Sequence, residues 1–369
     1  MPKPNAVRWL FVMFALGCSA EPEVVDEVFD GDALTDQNAD AELLDEMYDW
    51  EEHGQELVSD TQEQVAETFD ESDEHEALPD KETVWNEGLS PGVNWGLALG
   101  YVNDQGIAAH PAVYAAEDFE AGEVRLPTEE QRLRENLSVV EDPVYTGSYA
   151  ASFSWPEGLN GPTTRFLLPT EPDDNPHGCY FVRMCYNFDA SFHPIDQDRG
   201  VGVKGFGIYA EGAGTTDENW YNAAVQFVGW GNSQKPEAND GYLWVGHLYS
   251  YNPHPADAVA TVGTLENVSD YRFSAYASPF DYIRFNTWRC YEVGLYLNTP
   301  GEYDGEARFW IDGVLQSRIT HMRFREAGGP LPDNVNINLH RTTEDFPHTM
   351  TRWMDNIVIS RRYIGPVQR

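Results

Sequence analysis

The chain has 369 residues, of which 62 are acidic and 23 are Lys or Arg, so its formal net charge is 23 − 62 = −39. Such an acidic protein lacks the basic surface that phosphate groups require, which excludes nucleic acid and anionic lipid as expected partners. After residue 20 there is no run of the roughly 20 apolar residues that a membrane helix needs.

The first residues form a predicted targeting segment. Basic residues at positions 3 and 8 precede an apolar run over 9–16, and a cysteine follows at Cys18. This pattern resembles a bacterial lipoprotein signal peptide over residues 1–17, with Cys18 as the lipid-modified residue. We therefore expect an exported protein of the cell envelope, either an outer-membrane lipoprotein or a cell-surface protein. An ordinary secretory signal cut nearby is the alternative.

Residues 18–82 form a predicted acidic linker. The stretch 19–82 holds 25 acidic residues and one lysine, a net charge of 1 − 25 = −24, and apolar residues are sparse. Self-repulsion keeps a segment of this composition extended, and it cannot bury a core of its own. It would hold a domain clear of the membrane.

The remaining residues, 83–369, are predicted to form one all-β domain. Short apolar or alternating runs are separated by Gly, Pro, Asn and Asp turns, and helical periodicity is almost absent. This rhythm, with no alternation of strands and helices, indicates an antiparallel sandwich or jelly roll. The clearest predicted strands are Ser148–Trp155, Cys179–Phe188, Val201–Tyr209, Asn222–Trp230, Tyr242–Tyr251, Trp288–Leu297, Ala307–Ile311, Val335–Leu339 and Trp353–Ser360.

Three cysteines follow Cys18, and an oxidising compartment favours one disulfide among them. Cys179 and Cys185 lie six residues apart in one predicted strand, roughly 20 Å from each other, which is too far for a bond. We therefore predict that Cys290 pairs with either Cys179 or Cys185. No cysteine or histidine spacing suggests zinc, and no metal site is predicted.

One segment carries a family resemblance. Asn298-Thr-Pro-Gly301, Asp304-Gly305 and Trp310-Ile-Asp-Gly313 alternate turns with strands. The run resembles the concanavalin A-like jelly-roll polysaccharide lyases, particularly the alginate and glucuronan lyase group, lyase family fourteen. Further similar segments extend the resemblance over roughly 115–364. They are an opening strand at Glu117–Glu120, a lysine segment at Val203–Gly207 and a closing strand at Met354–Ile357.

The resemblance implies β-elimination from a uronate. That reaction needs a group that neutralises the carboxylate, a base for the C5 proton and an acid for the leaving oxygen. The resemblance implies that these roles fall on a Lys, a Ser-x-Arg pair and a Tyr-x-Tyr pair that line the concave sheet. Lys204, Tyr249 and Tyr251 match the lysine and the tyrosines, and they are the predicted catalytic residues.

The Ser-x-Arg pair has no match, because Gln226 stands where the arginine is expected. Gln226 can hydrogen-bond a carboxylate but brings no charge. His340 and Arg341, at the end of a predicted strand, are predicted to supply the missing cation for substrate binding. The glycosidase-like triad Glu302, Asp304 and Glu306 lies in a turn, which favours a structural role.

Two functions stay open at this stage. One is a lyase acting on a uronate-containing polysaccharide. The other is a non-catalytic carbohydrate-binding or surface-adhesion lipoprotein on the same fold. For either function we expect a polysaccharide partner, a monomer, contact with the membrane only through the lipid anchor, and no cofactor beyond an optional structural calcium ion.

Overall fold

The structure is a computed structural model. It describes residues 80–125, 137–157, 163–168, 178–192, 201–210, 220–229, 244–251, 257–266, 268, 272–277, 281–338 and 349–369. The chain divides between residues 76 and 77, so these ranges all belong to the second unit. The predicted signal peptide, Cys18 and nearly all of the predicted linker lie outside the described residues. None of the helices in those ranges combines the length and the apolar character that a membrane crossing requires.

Nine antiparallel strands form the first sheet. They are β1 (Val113–Glu117), β2 (Leu137–Val140), β3 (Ala150–Trp155), β5 (Cys179–Phe188), β9 (Val259–Val262), β13 (Arg289–Tyr296), β14 (Gly305–Ile311), β15 (Val314–Met322) and β17 (Met350–Ser360). Their order is β2-β3-β17-β5-β13-β14-β15-β9, and β1 pairs with β17.

Eight antiparallel strands form the second sheet. They are β4 (Thr163–Leu167), β6 (Val201–Ala210), β7 (Tyr221–Gly229), β8 (Trp244–Tyr251), β10 (Thr264–Glu266), β11 (Arg272–Tyr276), β12 (Tyr282–Ile283) and β16 (Asn334–Asn338). Their order is β10-β11-β8-β7-β6-β16-β4, and β12 pairs with β8.

The hydrophobic core lies between the inner faces of the two sheets. Alternation along β7 sends Val225 and Phe227 inward, where both are buried. Phe227 meets Tyr186 of β5 and Tyr291 of β13 with ring centroids 5.7 and 5.2 Å apart. These edge-on contacts join the sheets face to face. The predicted all-β jelly-roll sandwich is confirmed.

All nine predicted strands are present with small differences at their ends. The prediction missed β15 and several short strands at the sheet edges. The opening strand also differs, because β1 ends at Glu117 and Phe119 has a positive φ of 58° that turns the chain away. The strand predicted over Glu117–Glu120 is therefore wrong beyond its first residue.

The outer face of the first sheet is covered by the N-terminal part of the domain. Helix α1 (Lys81–Asn86) begins at Asp80, whose carboxylate accepts a hydrogen bond from the Thr83 N–H at 2.9 Å. Val84 of this helix packs with Phe181 and Trp310 in a second hydrophobic cluster. Further along, Cys185 of β5 and Cys290 of β13 stand opposite each other in register.

Those two residues form the disulfide, at a sequence separation of 105. This confirms the predicted pairing and selects Cys185 over Cys179. Cys179 is buried and remains a thiol outside the disulfide. Burial raises its pKa, so it stays protonated at neutral pH.

Candidate functional site

The outer face of the second sheet carries the predicted lyase residues. Because Val225 and Phe227 point into the core, Gln226 between them points outward. The same alternation turns His247 and Tyr249 of β8 outward around the core residue Leu248.

Three of these outward residues form a row across neighbouring strands. Lys204 of β6 is the register partner of Gln226 of β7, and Gln226 is the partner of His247 of β8. Adjacent strands lie about 4.8 Å apart, so this polar row of Lys204, Gln226 and His247 spans roughly 10 Å.

Tyrosines border the polar row on its β8 side. Tyr249 lies diagonally across from Gln226, a relation that leaves long side chains within reach of each other. The His247 ring stacks on Tyr276 of β11, with centroids 4.5 Å apart and an interplanar angle of 22°, and it meets Tyr249 edge-on at 6.4 Å. These aromatic contacts fix the orientation of the imidazole.

Burial changes the electrostatics of the polar row. Gln226 is 7 % exposed and His247 is 1 % exposed, whereas Lys204 and Tyr249 are half-buried. In water-poor surroundings a hydrogen bond or a charge acts more strongly on a bound anion than it does at an open surface.

A β-bulge places Lys204 at the end of the row. The register of β6 against β7 shifts between Lys204 and Phe206. A Cβ atom at Gly205 would lie 2.7 Å from the Phe227 ring and 2.9 Å from the Val225 carbonyl oxygen, so only glycine fits there. Bulges commonly re-aim a side chain beside an active site, and this one lets Lys204 point outward while Val203 and Phe206 both stay in the core.

Small residues lower the sheet surface next to the polar row. Gly207 of β6 is the register partner of Ala224 of β7, and a Cβ atom at Gly207 would lie 2.5 Å from that of Ala224. The same register continues to Asn336 on one side and Tyr249 on the other. The two small residues therefore leave a shallow depression between the Asn336 amide and the Tyr249 phenol.

Three basic residues of the described strands stand on this outer face. Arg165 of β4 faces outward because its neighbour Phe166 packs on the core, and Arg272 of β11 does so because Phe273 is a core residue. Together with Lys204 they form a basic strip across the sheet. Residues 83–369 hold 20 basic and 37 acidic residues, a net charge of 20 − 37 = −17, so the basic strip is a local exception.

The structure brings three of the predicted site residues together: Lys204, Gln226 and Tyr249. Tyr251 lies two positions further along β8, and its backbone is paired with that of Arg272. The side chain of Tyr251 lies outside the described residues, as do His340 and Arg341, so their predicted roles stay predictions.

Sequence reasoning missed three outward residues: His247, Arg165 and Arg272. Their signal was available in part, because His247 stands two positions before Tyr249 and shares its face by strand alternation. Its position beside Gln226, however, depends on the register between strands, and one sequence does not fix that register.

The glycosidase-like carboxylates are held in structural contacts. Asp304 accepts hydrogen bonds from the backbone N–H and the hydroxyl of Thr299, both at 2.7 Å. Glu306 forms ion pairs with Arg308 at 2.7 Å and with Arg318 at 2.6 Å. Burial raises the pKa of Glu306, but the two guanidinium groups outweigh this effect and lower the pKa below its ordinary value.

The described residues include no group of three or more His, Cys, Asp or Glu side chains that could hold a metal ion. The chain is thus an antiparallel β-sandwich with a polar row and a basic strip on one outer face.

No protein-family model and no curated protein matches the chain.

Solved structures similar to the chain include polysaccharide lyases. The alginate lyase Aly36B is 15 % identical over 69 % of this chain and 93 % of its own, with a TM-score of 0.45. The marine PL-14 alginate lyase from Aplysia kurodai is 14 % identical over 64 % and 90 %, with a TM-score of 0.44. The endo-beta-1,4-glucuronan lyase from the fungus Trichoderma reesei is 12 % identical over 70 % and 100 %, with a TM-score of 0.40. Likeness at this level assigns no role to any residue.

Proposed function

We propose that the outer face of the second sheet binds a uronate-containing polysaccharide and cleaves it by β-elimination. The observation that carries this proposal is the register of the polar row, which sets a cation, an amide and an imidazole side by side, with Tyr249 diagonal to them. These groups supply the carboxylate partner, the base and the acid that the reaction needs.

The roles follow from the chemistry of each side chain. Lys204 and the amide N–H of Gln226 hold the uronate carboxylate, which makes the neighbouring C5 proton more acidic. His247 removes that proton, because a neutral imidazole has one unprotonated ring nitrogen that can accept it. The C4–C5 double bond forms as the C4–O4 bond breaks, and the Tyr249 hydroxyl gives its proton to the leaving oxygen.

The basic strip supports binding of a chain rather than of a single sugar. Arg165, Lys204 and Arg272 lie on three strands separated along the same sheet, so successive carboxylates of a polyuronate can meet successive cations. This local charge opposes the long-range repulsion of polyanions by the domain's net charge.

We further propose that the protein is an exported lipoprotein anchored through Cys18. The basic start, the apolar run and the cysteine that follows it support this placement. An acidic linker then separates the anchor from the domain. The monomeric state and an optional structural calcium ion belong to the same proposal.

The test is release of unsaturated uronate products from alginate and polyglucuronate by the purified protein, followed as rising ultraviolet absorbance. Lys204→Met and His247→Gln are each expected to lower kcat by about 100-fold or more, the range usual for loss of a positioned acid or base. Lys81→Met and His321→Gln are matched controls, because both residues are exposed and far from the polar row in sequence and sheet. These controls should keep full activity.

The outcomes separate two functions. Product release that both polar-row variants abolish, with unchanged thermal melting, supports the lyase. Binding of polyuronate with no product would instead favour the non-catalytic carbohydrate-binding or adhesion protein, because the polar row binds a carboxylate equally well without proton transfer. If the protein neither binds polyuronate nor releases product, the proposed function is refuted.

A further inference from the structure

We propose that a recess on the outer side of the first sheet is a second glycan-binding site, specific for neutral pyranose chains. The recess is an open depression of about 470 Å³. It belongs to the first sheet, because Val93 forms a β-bridge with Val314 of β15 and Arg362 lies two residues after the end of β17. We call it the Trp95 recess, and its lining includes Asn86, Glu87, Ser90, Val93, Trp95 and Arg362.

The backbone of the recess is held rigidly by Asn94. Its side-chain oxygen accepts a hydrogen bond from the Ser90 N–H at 2.7 Å. Its side-chain nitrogen donates to the carbonyl oxygens of Ser90, Gly92 and Gly313 at 3.0 to 3.2 Å. Gly96, two residues after Asn94, cannot carry a side chain, because a Cβ atom there would lie 2.5 Å from the Tyr363 carbonyl oxygen. A loop fixed in this way loses little entropy when a ligand binds.

A charge pair forms one wall of the recess. Glu87 accepts hydrogen bonds from the Nε and Nη2 atoms of Arg362 at 3.0 and 2.6 Å and from the Tyr363 N–H at 3.1 Å. The two charges therefore compensate each other within the wall. The recess thus differs from the basic strip and offers no net charge to attract a uronate.

The ligand-facing groups are apolar surface and hydrogen-bonding groups. Trp95 is 52 % exposed and Val93 is 50 % exposed, although side chains of this kind are normally covered. The C–H face of a pyranose ring packs well on an indole, whose large flat surface combines apolar area with a polar edge. The Asn86 amide and the Ser90 hydroxyl make no hydrogen bond to another described residue, so both are available for sugar hydroxyls.

This combination points to a neutral sugar chain. The recess sets one exposed aromatic ring beside polar groups that can hydrogen-bond sugar hydroxyls. Because the recess lies on the first sheet, it does not depend on the proposed activity of the second. The protein would then hold a neutral glycan on one side of the sandwich and face an acidic one on the other.

The experiment is calorimetric titration of the full chain with cellohexaose and mannohexaose, two neutral β-linked hexasaccharides. At least one is expected to bind with a Kd of roughly 0.1–1 mM. Trp95→Ala should raise that Kd at least tenfold. Tyr303→Ala is the matched control, because Tyr303 is an exposed aromatic residue outside the recess, and its Kd should equal that of the parent.

Two further variants keep the inference independent of the lyase. Asn86→Ala and Ser90→Ala should each weaken binding two- to fivefold, while His247→Gln should leave it unchanged. Absence of binding to both hexasaccharides, or equal binding by Trp95→Ala and the parent, would overturn the inference whatever the lyase assay shows.

Discussion

The two outer faces of the sandwich use polar residues in opposite ways. On the first sheet the buried charges are matched within the chain, as in the ion pair of Arg183 with Asp104 and that of Glu306 with Arg308. On the second sheet the outward polar groups are mostly neutral amides, an imidazole and phenols, with a basic strip among them.

The difference lies in what the buried polar groups hold. Arg183 also donates to the carbonyl oxygen of Gly365, and Glu292 accepts hydrogen bonds from the N–H groups of Ile364 and Gly365 at 2.8 and 2.9 Å. These groups on the first sheet clamp the C-terminal residues of the chain onto its outer face. A charge that is already matched by the chain's own groups has little left for a charged ligand, so the buried charges of the first face serve stability, and the second face is the one suited to recognise an acidic ligand.

The largest expected effect is on stability, from Arg183→Met. Arg183 is almost fully buried, and its loss would leave the carboxylate of Asp104 buried with only the Asn356 amide at 3.0 Å to compensate it. Breaking a buried ion pair from one side costs about 3–5 kcal/mol, to be measured as the free energy of unfolding in urea. Polyuronate binding should not change, because the second sheet is untouched.

Two control variants make this prediction specific. Arg125→Met removes an exposed arginine and should cost no more than a few tenths of a kcal/mol. Adding Asp104→Asn to Arg183→Met should restore roughly 1 kcal/mol or more, because it removes the unmatched charge, and asparagine tolerates the positive φ of position 104. A loss below about 1 kcal/mol for the single variant would contradict the structural role.

Most of the fold could be predicted from this sequence. Long strands such as β5 and β13 carry an unbroken hydrophobic or alternating pattern, and turn residues mark their ends. The short edge strands escape prediction because two to five residues give too little pattern. Strand β15 was missed because polar residues such as Gln316, Arg318 and His321 interrupt its apolar residues, so that no clear apolar run marks the strand.

The second prediction concerns pH and two buried carboxylic acids of the first sheet whose pKa values are raised. Burial raises the pKa of Glu292 from 4.5 to about 8, although the N–H groups of Ile364 and Gly365 oppose this. Burial likewise raises the pKa of Asp355 from 3.8 to about 7. The folded protein therefore binds more protons than the unfolded chain between these values. Its stability should fall as the pH rises from about 5 to about 8.

Glu292→Gln tests the source of that slope. The melting temperature of the parent should be lower at about pH 8.5 than at about pH 5.5, and the variant should show a smaller difference. Glu306→Gln is the control: the pKa of Glu306 is lowered, so its carboxylate is ionised throughout this range in both states and the slope should stay. A parent whose melting temperature rises over this range would contradict the prediction.

The candidate site could be predicted only in part. Lys204 and Tyr249 were found because short local motifs surround them, and Gln226 because it stands where a motif fails. His247 becomes a neighbour of Gln226 only through pairing of β7 with β8. Arg165 reaches the same face through β16, which lies more than 160 residues away in the chain. Long-range register of this kind leaves no local signature.

The smallest expected effect is that of Arg272→Gln, a substitution at the edge of the outer face of the second sheet. Arg272 is exposed on β11, so its charge is screened by salt and should contribute only about 0.4–1 kcal/mol to polyuronate binding, a two- to fivefold change in Kd. Raising the salt from about 0.1 M to about 1 M shortens the screening length from roughly 10 Å to 3 Å and should erase the difference from the parent. Arg125→Gln, an exposed arginine close to the first sheet, should have no effect at either salt concentration. If both variants change the affinity equally, attraction comes from the overall charge of the protein, and the basic strip has no special part in it.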